Sequence, residues 1–219
     1  MTNTNKDLTI VIVTFKSEGK ILHCLKSISS DVKVIIIENS KNESFKKKIE
    51  NQFSNVECII STENLGYAKG NNLGLSKVKT KYALILNPDA VLDNNALNNF
   101  FISINNINNF SIIGPVTQSR ENINYNDKSL LEVDKVKGFA MFLNLKEFTE
   151  IGFFDENIFI YLEEIDLCKR LKKNNKKIFI DHNIVVNHQG GSSHDPQYNF
   201  EMELSSNWHW MWSSFYFTK

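Results

Sequence analysis

Three carboxylates lie close together in the segment GFFDENIFIYLEEIDLCKRL, residues 152–171. Glu163, Glu164 and Asp166 follow the apolar residues 158–162 directly, and a helical pattern of apolar side chains comes next. Acidic side chains stabilise the first turn of a helix through its dipole, so helix capping is one explanation. A carboxylate beside an aromatic wall can also act as a general base toward a bound substrate. The segment alone is compatible with both roles.

Four predicted strands end in clusters of residues that could bind a ligand. Residues 8–15, 32–38, 56–60 and 81–87 are short apolar runs of the kind that forms buried strands. Helical patterns separate them, which predicts a largely parallel sheet with helices on both faces. Ligands bind such sheets outside the carboxyl ends of the strands, so a crevice explains these clusters better than ordinary turns do. The residues at the four ends are Thr14, Phe15, Lys16, Glu38, Asn39, Ser40, Glu63, Asn64, Gly66, Asn87, Pro88 and Asp89.

Three further features each allow two interpretations. The segment NLGYAKGNNLG, residues 64–74, opens a helix with glycines that permit close approach of an anion, although a plain glycine-rich turn explains it equally well. Asp89 could bind a divalent cation that bridges a diphosphate, or it could cap the next turn. His188 precedes a Gly/Ser-rich loop, where it is either structural or the nitrogen ligand of a metal site.

The remaining pattern predicts one domain, because neither a repeat nor a Gly/Pro/Ser-rich linker divides the chain. We expect a nucleotide-binding half at 1–90, an acceptor and catalytic half at 91–200, and an aromatic C-terminal helix at 201–219. In the second half, the predicted elements are a helix at 94–104, strands at 111–116, 135–143, 178–180 and 184–187, and a loop at 119–129.

Composition excludes several classes of protein. The 219 residues carry 25 basic and 25 acidic side chains, so no basic field favours a nucleic-acid partner. The polar N-terminus lacks the pattern of a signal peptide, and no apolar run reaches the roughly 18–20 residues of a membrane span. Cys24, Cys58 and Cys168 have neither metal-site nor redox spacing. These features predict a cytoplasmic protein.

Residues 207–217, NWHWMWSSFYF, would be aromatic nearly all round a helix. Such a segment needs a partner that covers it. Packing on the domain, a homodimer contact, and peripheral contact with the inner face of the cytoplasmic membrane near a lipid-linked acceptor are the three alternatives.

The motifs in order resemble those of family 2 glycosyltransferases with the GT-A fold, in particular the bacterial rhamnosyltransferase-like branch. The resemblance extends from residue 8 to residue 217, and the order of the motifs is more specific than any one of them. The matching segments are VIVTFKSE, IIIENS, ENLGYAKGNNLGL, LILNPDA, VKGFAMFL, GFFDENIFIYLEEIDLCKRL and VVNHQGGSS.

The resemblance implies an α/β fold with a Rossmann-like, mostly parallel central sheet flanked by helices, and a mixed C-terminal half. It also implies an inverting, metal-dependent transfer in cell-surface polysaccharide synthesis. The donor would be a nucleoside diphosphate sugar, dTDP- or UDP-linked, with rhamnose among the candidate sugars. The acceptor would be a glycan or a lipid-linked saccharide, and the cofactor Mg²⁺ or Mn²⁺.

The resemblance also implies roles for individual residues. Glu164 stands at the position of the family's catalytic base, with Glu163, Gly138 and Phe139 on the acceptor side. The metal would be bound by Asp89 and His188. The nucleotide sugar would be bound by Thr14, Phe15, Glu38, Asn64, Gly66, Asn71, Asn72, Asn87 and Asp89.

Three positions depart from the family's pattern, because Glu38, Asn87 and Glu164 stand where aspartate is usual. A non-catalytic protein that binds sugar nucleotides is therefore one alternative. A sugar-phosphate nucleotidyltransferase is the other, but it should carry a glycine-rich basic loop after the first strand, where this chain has TFKSEGK. Asp166, with Arg170 one helical turn later, predicts a structural ion pair.

Overall fold

The structure, a computed structural model, describes residues 5–117, 129–188, 194 and 196–218. The strands are β1 Leu8–Thr14, β2 Lys33–Glu38, β3 Val56–Ile60, β4 Tyr82–Leu86, β5 Ala90–Leu92, β6 Ile112–Val116, β7 Leu130–Val133, β8 Ala140–Asn144 and β9 Ile178–His188. The helices are α1 Ile21–Lys26, α2 Glu43–Gln52, α3 Gly66–Leu75, α4 Ala96–Asn105, α5 Glu163–Lys173 and α6 Asn199–Phe217.

The strands form one sheet in the order β3-β2-β1-β4-β8-β6-β9-β5, with β7 paired to β9. The first four strands are parallel, so their carboxyl ends meet at one edge, as predicted. Strand β8 runs antiparallel to both β4 and β6, whereas β6 and β9 are parallel. The expected α/β fold, with a parallel first half and a mixed second half, is therefore confirmed.

Apolar side chains cover both faces of this sheet. Along β1, Ile10 and Ile12 pack into one core cluster and Val11 packs into the other. Burial on both faces explains why the parallel strands are continuous apolar runs rather than alternating ones. Phe142 on β8 anchors the larger cluster, where its ring stacks on Phe100 with the centroids 4.9 Å apart.

Several predicted boundaries were wrong because long-range pairing decides them. The predicted strand at 135–143 exists only from Ala140, since the preceding residues form a loop. The predicted strands at 178–180 and 184–187 are one strand, because β7, β6 and β5 pair along the length of β9. Strand β5 was missed, and most of the predicted loop at 119–129 lies outside the described residues.

Helix α6 begins earlier than the predicted aromatic helix, and one of its faces is bound to the rest of the chain. The Ser213 hydroxyl donates a hydrogen bond of 2.7 Å to the Ile160 carbonyl. The Tyr216 hydroxyl donates one of 3.0 Å to Asp155. Of the helices in the described part of the chain, none has both the length and the apolarity needed to cross a membrane.

Candidate active site

Asp89 and His188 meet at the edge of the sheet, although they are far apart in the sequence. Antiparallel pairing of β5 with β9 places Ala90 opposite His188, which sets Asp89 beside the imidazole. The Asp89 Oδ1 and His188 Nε2 atoms are 3.3 Å apart. The His188 ring stacks on Phe139, with the centroids 4.6 Å apart and the planes 8° from parallel. The backbone of Asn87 donates a hydrogen bond to the Phe139 carbonyl.

The atoms at this edge fit a divalent cation. The Oδ1 atoms of Asn87 and Asp89 are buried and accept no hydrogen bond, which is costly unless another group satisfies them. A carboxylate, an amide oxygen and an imidazole nitrogen form a donor set that suits Mg²⁺ or Mn²⁺. Among the residues that the structure describes, no group of three or more His, Cys, Asp or Glu could hold a metal. The remaining ligands of such a cation would therefore have to come from outside these three side chains.

A strained turn positions the two glutamates at the start of α5. Tyr161 and Leu162 both have positive φ angles, 72° and 69°, which side chains larger than glycine rarely adopt. The turn buries Glu163, which is 5% exposed and whose Oε2 accepts no hydrogen bond. Glu164, the next residue, lies against Gly138, where a methyl group would be 3.6 Å from its Cβ and Cγ atoms.

The two neighbouring carboxyls have different proton affinities. Burial raises the pKa of Glu163 to about 8, and the charge of Glu164 adds to this rise. Burial also raises the pKa of Glu164, but backbone N–H groups at the helix start and Lys135 oppose the rise. Burial therefore favours a proton on Glu163, whereas the backbone N–H groups and Lys135 partly stabilise the charged form of Glu164.

Gly138 and Phe139 lie between the two centres, because a methyl group added at Gly138 would meet the Glu164 side chain and Phe139 stacks on His188. Both were predicted on the acceptor side. The loop is held by Tyr67, whose hydroxyl donates a hydrogen bond to the Gly138 carbonyl. Burial, together with the charges of the two glutamates, raises the pKa of Tyr67, which keeps the phenol neutral.

The sequence assigned no role to Tyr67, although it lies in the glycine-rich motif. The sequence feature that could have pointed to Tyr67 was its position directly after Gly66. Gly66 has a φ of 70°, and a Cβ atom there would clash with the Phe159 backbone oxygen. The Asn64 side chain accepts a hydrogen bond of 3.1 Å from the Gly66 backbone, which closes the turn into α3.

The ion pair predicted on α5 is present. Arg170 Nε lies 2.7 Å from Asp166 Oδ2, and the guanidinium also donates hydrogen bonds to the carbonyls of Ile151 and Phe153. These bonds connect the helix to the segment that precedes it. Asp166 therefore stabilises the fold through this ion pair, which distinguishes it from Glu163 and Glu164 at the crevice.

The predicted nucleoside residues lie deep at the ends of β1 and β2. Thr14 is 1% exposed and Glu38 is 2% exposed. The Glu38 carboxylate accepts hydrogen bonds from the Ser40 backbone and hydroxyl and from the Asn42 backbone, at 2.6–2.8 Å. These hydrogen bonds use both oxygens of the Glu38 carboxylate and stabilise the turn after β2. A direct contact between Glu38 and a nucleoside stays a prediction.

The two asparagines predicted near the diphosphate both bond to the protein's own backbone. Asn71 donates to the Tyr67 carbonyl, and its buried Oδ1 atom accepts no hydrogen bond. Asn72 forms a reciprocal pair with the Phe154 backbone, at 2.9 and 3.0 Å. Asn72 thus holds α3 to the segment that leads into α5, and its contact with the donor stays a prediction.

A cavity of about 200 Å³ lies between the end of β1 and helix α6. Its lining includes Phe15, Asn64 and two residues that the sequence did not single out, Phe159 and His209. The rings of Phe159 and His209 stack with their centroids 4.1 Å apart. Helix α6 thereby covers the crevice next to the end of β1. Most of the Gly/Ser-rich loop after His188 lies outside the described residues.

This fold and this pair of centres characterise a class of sugar-transferring enzymes, and comparison with known proteins agrees. The sequence profile of glycosyl transferase family 2 matches residues 9–168. Because this match covers well over half of the chain, the protein belongs to that family.

Two curated relatives support the assignment. The chain is 28% identical over 198 residues to the low-salt glycan biosynthesis hexosyltransferase Agl10 of Haloferax volcanii, covering 78% of this chain and 64% of the relative. It is 24% identical over 204 residues to the rhamnosyltransferase WbbL of Escherichia coli K12, covering 74% of this chain and 75% of the relative. The chain therefore spans less than two thirds of the length of Agl10.

Solved structures confirm the GT-A fold. GalNAc-T7 with UDP, GalNAc and Mn²⁺ has a TM-score of 0.68 at 13% identity, covering 85% of this chain and 46% of that chain. Staphylococcus aureus TarS 1–349 with UDP-GlcNAc has a TM-score of 0.66 at 14% identity, covering 85% and 60%. The Pyrobaculum calidifontis mannosyltransferase PcManGT with GDP-Man and Mn²⁺ has a TM-score of 0.67 at 13% identity, covering 83% and 56%.

Proposed function

We propose that the protein is a metal-dependent, inverting glycosyltransferase that moves a sugar from a nucleoside diphosphate to an acceptor hydroxyl. The observation that carries this proposal is the pair of residues Gly138 and Phe139. The first lies beside the Glu164 side chain, where an added methyl group would be 3.6 Å from the Cβ and Cγ atoms, and the second stacks on the imidazole beside Asp89. A base and a cation-binding pair on either side of one loop are the two parts that a direct displacement needs.

Asp89, His188 and the Asn87 side chain would hold the cation. When bound, Mg²⁺ or Mn²⁺ supplies Lewis-acid stabilisation of the charge on the departing diphosphate. Glu164 accepts the proton of the acceptor hydroxyl. The hydroxyl oxygen forms its bond to the anomeric carbon as the bond from that carbon to the diphosphate oxygen breaks. One displacement inverts the anomeric configuration, and the nucleoside diphosphate leaves.

The neutral state of Glu163 supports the assignment of Glu164 as the base. Two adjacent carboxylates in one buried site would repel each other, so a proton on Glu163 leaves a single charge beside the crevice. Glu163 then has an O–H group that can donate a hydrogen bond to an acceptor. This makes Glu163 an acceptor-binding residue and Glu164 the catalytic one.

The relatives favour a hexose or deoxyhexose as the transferred sugar. One carries the name hexosyltransferase and the other rhamnosyltransferase. A dTDP- or UDP-linked donor, including dTDP-rhamnose, and a glycan or lipid-linked acceptor are the substrates we propose. The corresponding process is cell-surface polysaccharide synthesis on the cytoplasmic side of the membrane.

The test compares three proteins in one assay of nucleoside diphosphate release. Wild type is incubated with a panel of UDP-, dTDP- and GDP-sugars, Mn²⁺ and mixed saccharide acceptors, and thermal shift identifies which donor binds. Glu164→Gln should bind that donor but not transfer the sugar. Glu150→Gln, a matched change at an exposed glutamate, should transfer it at the wild-type rate.

Other outcomes would identify the alternatives. Full transfer by Glu164→Gln would contradict the role of Glu164 as base. Donor binding without transfer to any acceptor would favour a non-catalytic sugar-nucleotide-binding protein. Formation of a nucleotide sugar from a sugar phosphate and a nucleoside triphosphate, with release of pyrophosphate, would favour a nucleotidyltransferase.

A further inference from the structure

Helix α6 presents an apolar stripe to solvent. The stripe consists of Phe200, Leu204, Trp208, Met211 and Phe215, each between 57% and 75% exposed. Their spacing of four, four, three and four residues places them along one face of the helix. Large apolar side chains gathered in this way are uncommon on the surface of a monomer and mark an interaction site.

The opposite face of α6 packs against the rest of the chain. If the helix rotated to bury the apolar stripe, it would lose these contacts. Ser213 is buried and bonds to the Ile160 carbonyl. Tyr216 bonds to Asp155, and the His209 ring stacks on Phe159. The helix therefore binds its own domain through polar and ring contacts and leaves its most apolar side chains outside.

The exposed area matches what a stable protein interface requires. With aromatic side chains covering 150–250 Å² each, the stripe exposes roughly 650 Å². A standard interface buries about 800 Å² on each partner. Trp212, which is 44% exposed and stacks on Trp208, enlarges the same surface. The stripe is thus large enough to form the centre of a specific contact.

The charges on α6 argue against an anionic membrane as the partner. Interfacial helices usually carry Lys and Arg on the face beside the apolar one, and these side chains strengthen binding to an anionic surface. The residues of α6 include two carboxylates, Glu201 and Glu203, and neither Lys nor Arg. At the start of the helix, Glu201 is paired with Lys16, whose Nζ atom lies 3.1 Å from its carboxylate, and Glu203 would repel anionic headgroups.

A second copy of the chain offers a surface that complements the stripe, because steps of three and four residues keep the apolar side chains on one face, and a two-fold related copy presents the same face. An antiparallel arrangement keeps the acidic helix starts of the two copies apart, whereas a parallel one would place them side by side. It also brings each acidic end near the far end of the partner helix, where Lys169 lies 3.8 Å from the centre of the Phe217 ring. We propose that two copies of the protein pair through antiparallel α6 helices, with the two-fold axis near Trp208.

The first test measures mass in solution by sedimentation equilibrium at micromolar concentration. Wild type should give twice the chain mass of 25.3 kDa, and the double variant Trp208→Glu/Met211→Glu should give the chain mass. Ile102→Glu is the matched control, since Ile102 is also an exposed large apolar residue but lies on α4. It should remain dimeric. Circular dichroism and thermal unfolding of all three proteins establish that each is folded.

The second test maps the arrangement by disulfide cross-linking. The three native cysteines are buried, so an introduced cysteine reacts alone. Asn207→Cys, beside the proposed axis, should cross-link to its own copy, and Asn51→Cys, exposed on α2, should not. Phe200→Cys should cross-link when mixed with Phe215→Cys but not by itself.

Three results would overturn the proposal. A monomeric wild type would contradict the dimer. If that monomer floats with phosphatidylcholine or phosphatidylglycerol vesicles, a membrane is the partner that covers the apolar stripe. A dimer that survives the double variant would place the interface elsewhere. Cross-linking of Phe200→Cys by itself would replace the antiparallel arrangement with a parallel one.

Discussion

The Asp89–His188 pair and the Glu163–Glu164 pair place buried carboxyl groups in contrasting surroundings. Asp89 lies 3.3 Å from an imidazole nitrogen, beside an amide oxygen that accepts no hydrogen bond. Glu163 is buried without such a partner, and the charge of Glu164 lies beside it, so its pKa rises to about 8. The first arrangement suits a cation, and the second favours a proton on Glu163.

The contrast shows how one crevice can stabilise a negative leaving group at one side and accept a proton at the other. Both centres border the Gly138–Phe139 loop. Substitutions at the two centres should therefore have different effects on binding, on rate and on pH dependence.

The largest effect is expected from Glu164→Gln. The amide has nearly the same shape but cannot accept the proton, so kcat should fall by roughly a hundredfold to ten-thousandfold. The affinity for the donor should stay within about twofold, because the acid pair is not the donor-binding centre. Steady-state kinetics and donor titration calorimetry separate these two quantities. A loss in donor affinity with kcat unchanged would contradict the division between the centres.

Asp89→Asn should have the converse effect. Removing the carboxylate should weaken binding of a nucleoside diphosphate in the presence of Mn²⁺ by roughly a hundredfold, because a metal contact contributes several kcal/mol. Binding of the nucleoside alone should not change. Titration calorimetry with Mn²⁺ and with EDTA measures both. Equal affinities of wild type and variant under both conditions would rule out a metal at Asp89.

Glu163→Gln should change how stability depends on pH. The unfolded chain loses the Glu163 proton near its ordinary pKa of 4.5, whereas the folded protein keeps it to about pH 8. The folded state therefore binds more protons, and this group lowers the stability of wild type as the pH rises through that window. The variant has no such proton to lose.

Relative to wild type, Glu163→Gln should gain stability on the order of 4 kcal/mol between roughly pH 5 and pH 9, because each unit of the pKa shift corresponds to about 1.4 kcal/mol. Urea unfolding at the two pH values measures the gain. Asp166→Asn serves as the control, because its carboxylate is paired with Arg170 and its loss should destabilise the protein instead. The absence of any pH-dependent difference would mean that Glu163 is ionised in the folded protein.

The smallest effect is expected from Tyr67→Phe, which removes the hydrogen bond to the Gly138 carbonyl. The free energy of unfolding should fall by about 1 kcal/mol, as for a typical hydrogen bond. Because the Gly138–Phe139 loop borders both centres, KM for the acceptor and affinity for the metal should both change slightly. A change at only one centre would show that the loop does not connect them.

Much of the fold could be predicted from the sequence because the signals are local. The apolar runs of β1, β2, β3 and β4 differ from the helical patterns between them, and that difference needs no knowledge of distant contacts. Strand β5 was not predictable in this way, since three residues pair only because β9 lies beside them. Strand β9 was predicted as two strands for the same reason, because its continuity depends on the strands that pair with it.

The candidate site likewise contains residues that the sequence predicted and contacts that it did not. Motif order identified Asp89, His188 and Glu164 as residues of one site, and the structure brings Asp89 to His188 and Glu164 to Gly138. The roles of Tyr67 and of the Asn72 pair with Phe154 were not predictable, because each depends on a contact with a distant segment.

The sequence by itself determined the alternation of β1, β2, β3 and β4 with the helices between them, the family motifs and the acidic start of α5, since each depends on neighbouring residues. Only the tertiary structure decided that the pKa of Glu163 rises to about 8, because burial and not residue type separates Glu163 from Glu164. It also decided which side of α6 faces solvent. A segment that is aromatic nearly all round has no preferred inner face until Ser213, Tyr216 and His209 find their partners.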